Sequence, residues 1–288
     1  MPGIVYLDGQ WLPSEQAKVS VFDRGFLFGD GVYEVIMAYH RQPFRLEQHL
    51  ARLFRSLEQV GITNPLGLHE WRYLVEQLID RNEGDQQSIY LQVTRGSSGK
   101  RQHNYPTELK STLLATSQPV SLTEKITTEI EPCSAILLED IRWARGDIKS
   151  TSLLGSVLLK KAVFESGADE GILHRDGVVT EGTASNVFVV RQGKLLTPRL
   201  SDYILTGITR DFIFELAERY QIPLIETDIS VQTMYDADEI WLTSSTAEVR
   251  PVVELDGRAI GAGKPGNLWK RMAQLYQKHK SELYSCGA

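Results

Sequence analysis

Three dipeptides constrain this chain more than any other feature. Asp8-Gly9 in IVYLDGQWL, Asp176-Gly177 in GILHRDGVV and Gln192-Gly193 in NVFVVRQGKLL each separate two short β-rich runs. A residue pair of this kind accepts the positive φ that a two-residue reversal demands, so each stretch reads as a β-hairpin. Between them the periodicity changes. EQHLARLFRSLEQVGI carries Leu50, Leu53, Phe54, Leu57 and Val60 at helical spacing, and a second helix is expected from about Glu70 to Arg81. Strands alternate with helices, so the class is mixed α and β.

The first half adds a loop rich in glycine and aromatics, FDRGFLFGDGVYEV, which leads into a third strand, and two further strands in QSIYLQVTRG and KSTLLATSQP. The polar, proline-bearing SQPVSLT then suggests a linker. We therefore expect a small domain over residues 1–118, a linker at 119–124 and a second domain over 125–288. The second domain should open with strands near KITTEIEP and CSAILL. A helix after Lys149, a strand meander around the two later turns, the helix GITRDFIFELAERY, a strand along EIWLTSSTAEVRPVVELDG and a C-terminal helix follow. There is no internal repeat.

Composition removes several function classes. With 288 residues, 42% hydrophobic and 24% charged, the chain can bury a substantial core without covalent staples. The net charge of -6 includes no basic tract, which argues against nucleic acid as a partner. No apolar run is long enough to span a bilayer, and MPGIVYLDGQW lacks the basic start and apolar middle of a signal peptide, so the cytoplasm is the expected compartment. Cys133 and Cys286 are not expected to form a disulfide. The histidines at 40, 49, 69, 103, 174 and 279 show no ligand spacing, and no metal is expected.

GDIKSTSLLGSVLLKKA holds the residue that most suggests chemistry. Lys160 and Lys161 fall late in a helical stripe of Leu153, Leu154, Val157, Leu158 and Ala162, as ordinary surface charges. Lys149 precedes that stripe, with Ser150, Thr151 and Ser152 as candidate caps, and is expected at the electropositive helix start. There a lysine is favoured as the neutral amine that attacks a carbonyl or binds pyridoxal phosphate. Glu181, inside VVTEGTASNVFVV, could serve as the acid beside a pyridine nitrogen. Gly207 with the amides of Ile208 and Thr209 offers an anion seat at a helix start. Ser245, Thr246 and Arg52 could add to it.

Six segments in order, DRGFLFGDGVYEV, HLARL, GDIKSTSLLGSVLLKKA, VTEGTASNVF, LTGITR and SSTAEV, resemble the fold-type IV pyridoxal phosphate enzymes. That group holds D-amino acid aminotransferases, branched-chain aminotransferases and aminodeoxychorismate lyases. The resemblance implies a two-domain α+β / α/β fold, with a smaller N-terminal α/β domain and a larger C-terminal pseudo-barrel domain. It implies pyridoxal 5'-phosphate as cofactor, Lys149 as the Schiff-base lysine and proton shuttle, and Glu181 as partner of the pyridine nitrogen. Arg52, the backbone of Ile208 and Thr209, and Ser245 would hold the phosphate. Thr246 would lie near it on the substrate side, with Tyr33, Val35 and Met37.

Within the group, VTRGSSGKRQHNYP is similar to the Arg-x-His segment of D-amino acid aminotransferases. The resemblance implies that Arg101 and His103 reach the substrate carboxylate across the interface of a homodimer. Two apart in an extended segment, they would point to one side. Two features depart from the usual pattern: the loop before Arg101 is a residue longer through Gly99 and Lys100, and Met37 stands where lysine is frequent. The expected reaction is transamination from D-amino acids such as D-alanine to 2-oxoglutarate or pyruvate. The alternatives are an aminotransferase for L-branched-chain amino acids or (R)-amines, an aminodeoxychorismate lyase and a non-catalytic cofactor-binding protein.

Overall fold

The computed structural model describes residues 3–120 and 130–285, with side chains through Glu282. Two compact units divide the chain: Met1–Thr123 with Ile148–Leu153, and Glu124–Asp147 with Leu154–Ala288. Residues 121–124 of the expected linker, 125–129 of the strand expected at KITTEIEP, and Cys286 lie outside the described residues.

The first unit opens with the expected hairpin, β1 (Ile4–Leu7) and β2 (Gln10–Pro13), with Asp8 at φ 48° and Gly9 at φ 96°. The glycine-rich stretch expected as loop contains a short helix, α1 (Arg24–Phe28). The Asp23 carboxylate caps it by accepting from the Gly25 N–H at 2.8 Å, and Gly29 ends it at φ 66°. Then come β3 (Gly31–Tyr39), β4 (Gln42–Pro43), α2 (Leu46–Val60), α3 (Leu68–Arg81), β5 (Gln87–Thr94) and β6 (Thr112–Pro119). The described residues form a sheet in the order β2-β1-β6-β5-β3-β4. Val32, Ile36 and Ala38, alternate residues of β3, pack into one core with Leu50, Leu53 and Leu57 of α2 and Trp71, Leu74 and Leu78 of α3. The other alternate set, Tyr33, Val35 and Met37, therefore faces the opposite side of the sheet.

The second unit contains β7 (Cys133–Glu139), α4 (Leu154–Ser166), β8 (Glu170–Arg175), β9 (Val178–Gly182), β10 (Asn186–Arg191) and β11 (Lys194–Thr197). These are followed by α5 (Ile208–Arg219), β12 (Leu224–Glu226), α6 (Val231–Tyr235), β13 (Glu239–Ser244), β14 (Glu248–Leu255), β15 (Arg258–Ala259) and α7 (Asn267–Ser285). The ladder runs β12-β11-β10-β13-β14-β7-β8-β9, with β15 on β14. The expected meander is instead two hairpins, β8–β9 and β10–β11, separated in the ladder because β13 takes the second edge of β10. The single strand expected along EIWLTSSTAEVRPVVELDG is likewise a hairpin, with Ser245–Ala247 as its turn.

Strand order requires this sheet to curl. β9 and β10 lie five places apart in the ladder, about 24 Å in a flat sheet at about 4.8 Å per strand. The four peptide steps from Gly182 to Asn186 reach only about 14 Å. The sheet closes into a half-barrel around a core that includes Ile172, Val187, Val189, Ile240, Leu242 and Val252.

Candidate active site

In the first unit the segment 149–151 lies along the free edge of β3. The Tyr33 N–H donates to the Lys149 carbonyl at 3.0 Å, and the Thr151 N–H donates to the Gly31 carbonyl at 2.9 Å. This corrects the placement expected from sequence: α4 begins only at Leu154, so Lys149 stands outside its first turn, where a helix dipole acts. Nor do the neighbouring hydroxyls cap that helix. Thr151 Oγ1 and Ser152 Oγ donate to the Gly29 carbonyl at 2.9 and 3.0 Å and hold the glycine turn. Lys149 is half-buried, with Nζ 4.3 Å from the centre of the Tyr33 ring. Tyr33 in turn stacks on Tyr90 at 5.7 Å.

On the helix side of β3, Glu34 is fully buried and meets two residues of α2. Arg52 grips it with Nε and Nη2 at 2.7 and 2.8 Å, and His49 Nδ1 lies 2.8 Å from Oε2. Burial alone would raise the Glu34 pKa, but the Arg52 charge and the hydrogen bonds of Arg52 and His49 hold it well below the usual carboxylate range. Burial drives His49 towards its neutral form, against the pull of Glu34. A carboxylate acceptor then fixes the tautomer protonated at Nδ1. Arg52 is thus oriented by a buried acid that the sequence pattern did not single out.

Arg101 and His103 are exposed and lie against one ring, Phe28, at 5.4 Å each. Val35 is half-buried, while Met37 is buried on the same face of β3.

In the second unit Glu181, on β9, is buried at the centre of a charged network. Its Oε1 accepts from Arg142 Nη1 at 2.6 Å, and its Oε2 accepts from the Leu205 N–H at 3.0 Å and from Asn186 Nδ2 at 3.2 Å. Asp140 holds Arg142 from the other side through Nε and Nη2, both at 2.9 Å. Burial pushes the Glu181 pKa up to about 7, although Arg142 opposes that rise. Burial and the Arg142 charge thus act in opposite directions on this acid. Asn186 also explains Gly207, the residue that caps α5. A Cβ there would fall 1.9 Å from Asn186 Oδ1, so only glycine lets the helix start against that side chain.

Ile208 and Thr209 form the buried first turn of α5, where amides have no acceptor within the helix. Ser245 and Thr246 lie in the β13–β14 turn, and the buried hydroxyls Thr243 Oγ1 and Ser185 Oγ have no hydrogen-bond partner. Within the second unit, a buried acid, a helix start and spare hydroxyls suit the pyridine nitrogen and the phosphate of pyridoxal phosphate; within the first, a half-buried lysine against a tyrosine suits its aldehyde carbon. Arg142 and Asp140 had no signal in the sequence. Glu34 had a faint one, as a carboxylate in a strand position flanked by apolar residues.

The fold is that of a pyridoxal phosphate enzyme of fold type IV. The chain belongs to the class IV aminotransferases, whose family pattern matches residues 31–255. It is 40% identical over 273 residues to a D-alanine aminotransferase of Bacillus licheniformis, covering 95% of both chains. Among solved structures it resembles a branched-chain aminotransferase of Thermoproteus uzoniensis with norvaline (29% identity, TM-score 0.85, 96% of this chain and 94% of the other). It also resembles a T.th. branched-chain amino acid aminotransferase with pyridoxamine 5'-phosphate (26% identity, TM-score 0.88, 96% and 94%). Among the described residues no group of three His, Cys, Asp or Glu could hold a metal, and no helix is long and apolar enough to cross a membrane.

Proposed function

We propose that this aminotransferase takes the amino group of D-amino acids such as D-alanine and passes it to a 2-oxo acid, 2-oxoglutarate or pyruvate. The observation that carries this reading is likeness along nearly the whole chain to a D-alanine aminotransferase, at 40% against 29% for the archaeal branched-chain enzyme. The shared place of Arg101 and His103 on Phe28 supports it, because a guanidinium beside an imidazole suits a substrate carboxylate.

In this reading Lys149 Nζ would hold the cofactor, and its amine would move the proton at the substrate α-carbon. Bound pyridoxal phosphate supplies the electron sink for the carbanion. Glu181 keeps the pyridine nitrogen protonated. Arg52, the amides of Ile208 and Thr209, and the Ser245 hydroxyl take the phosphate, while Tyr33, Val35, Met37 and Thr246 border the substrate. A homodimer in the cytoplasm completes the reading. Leu154, Val157, Leu158 and Phe164 of α4 are 72, 59, 49 and 84% exposed, apolar surface that a second copy would cover. Arg101 and His103 would then serve the partner's substrate.

The test is incubation with D-alanine and 2-oxoglutarate beside L-alanine, L-leucine and an (R)-amine. Turnover of D-alanine alone is expected. Preference for L-leucine would replace the reading with a branched-chain activity, and pyruvate released from aminodeoxychorismate without an acceptor would make the chain a lyase.

A further inference from the structure

Between β5 and β6 the chain carries no helix or strand over residues 95–111, yet this stretch bears Arg101 and His103. Two buried arginines hold it. Arg24, 4% exposed, uses all three guanidinium nitrogens: Nε donates to Asp30 Oδ2 at 2.8 Å, Nη1 to the Gln102 carbonyl at 2.7 Å and Nη2 to the His103 carbonyl at 3.1 Å. Arg95, 7% exposed, donates from Nε to both oxygens of the same Asp30 at 3.1 and 2.9 Å. Its Nη1 and Nη2 reach the carbonyls of Gly61 and Val60 at 2.8 and 2.7 Å, at the end of α2. Tyr105 lies over both guanidinium groups, at 5.0 Å from Arg24 and 4.1 Å from Arg95. The Arg24 guanidinium also covers Phe28 at 4.8 Å, the ring against which Arg101 and His103 rest.

We propose that Arg24 is a positioning residue for substrate specificity: it fixes the backbone at Gln102 and His103, and so sets where the Arg101 and His103 side chains point. A rigid fork suits this task and an ammonium does not. One planar group spans two consecutive carbonyls while its third nitrogen stays on Asp30, whereas lysine would present a single point of donation. Asp30, shared with Arg95, keeps the fork from rotating and ties the loop to the end of α2. This inference rests on the reading of Arg101 and His103 as the carboxylate site.

The test compares holoenzymes of wild type, Arg24→Met, Arg24→Lys, Arg101→Ala/His103→Ala, and Arg24→Lys combined with the last pair. Arg24→Met leaves the two carbonyls without their donors and could fail to fold, in which case Arg24→Lys carries the test. Each Arg24 variant is expected to raise the KM for D-alanine about tenfold and to lower kcat no more than about threefold. In the Arg101→Ala/His103→Ala background, Arg24→Lys should add less than about twofold, because its effect runs through side chains already removed. A wild-type KM in Arg24→Lys, or an equal loss in both backgrounds, would overturn the proposal alone. If Arg101→Ala/His103→Ala itself leaves the KM for D-alanine unchanged, the carboxylate reading fails and the proposal falls with it.

Discussion

Arg142 Nη1 lies 2.6 Å from Glu181 Oε1, with Asp140 on the far side of the same guanidinium. The chain thus holds a buried acid whose protonation is contested between burial and one fixed cation. Without cofactor, Glu181 has a folded pKa of about 7 against an ordinary 4.5. The folded form then binds more protons than the unfolded form between those values, and stability falls as pH rises through that window. Relative to Glu181→Gln, the wild-type apoprotein should lose on the order of 2 kcal/mol between pH 5 and pH 8. Urea denaturation at the two pH values measures this, and parallel curves for the two proteins would contradict it.

Lys149 is the residue whose removal should end the reaction. Lys149→Ala is expected to abolish both turnover and the yellow absorption of the bound cofactor, and the melting temperature of the apoprotein should barely move because the side chain is only half-buried. A variant that still transaminates at the wild-type rate would refute the assignment.

Glu34 satisfies a buried guanidinium and a buried imidazole at once. Glu34→Gln leaves the Arg52 charge without its counter-ion and should cost about 3–5 kcal/mol, a fall in Tm of roughly 10 °C. Because the folded pKa of Glu34 is depressed, its contribution is fully present above its ordinary pKa and is lost progressively as pH falls from there towards the folded value. The gap in Tm between variant and wild type should therefore hold down to the ordinary pKa of 4.5 and narrow only below it, which thermal melts at pH 7, pH 5 and about pH 3 would reveal.

At Gly207 an added methyl group would meet Asn186 Oδ1 at 1.9 Å. Asn186 bridges Glu181 and the Leu205 carbonyl, so Gly207→Ala should displace the helix start and the acid together. Retention of pyridoxal phosphate should weaken at least about tenfold by reconstitution of the apoprotein, and unchanged affinity would show that the helix start carries no phosphate.

Much of the architecture is legible in the sequence, for local reasons. Asp8-Gly9, Asp176-Gly177 and Gln192-Gly193 all adopt positive φ, a property of the residues themselves. The α2 stripe at Leu50, Leu53 and Leu57 is buried, because its period matches the helix. The α4 stripe misleads: Leu154, Val157 and Leu158 are exposed, and Leu159 and Val163 face inward. Apolar periodicity marks a helix there but does not say which surface covers it. The helix α1 escaped because its cap, Asp23, serves only five residues, too few for a period to show.

The sequence by itself determined the hairpins, the principal helices and the ordered motifs that mark a class IV aminotransferase, because each is written in neighbouring residues. Only the tertiary structure decided that Lys149 rests on the edge of β3 rather than at a helix start, since Tyr33 pairs with the Lys149 backbone and Gly31 with that of Thr151, each from more than a hundred positions away. The partners of the buried charges are decided the same way. Arg142 meets Glu181 across 39 positions, and Arg24 meets His103 across 79. A buried charge must find its counterpart wherever the sheet brings the chain back, and no local pattern records that distance.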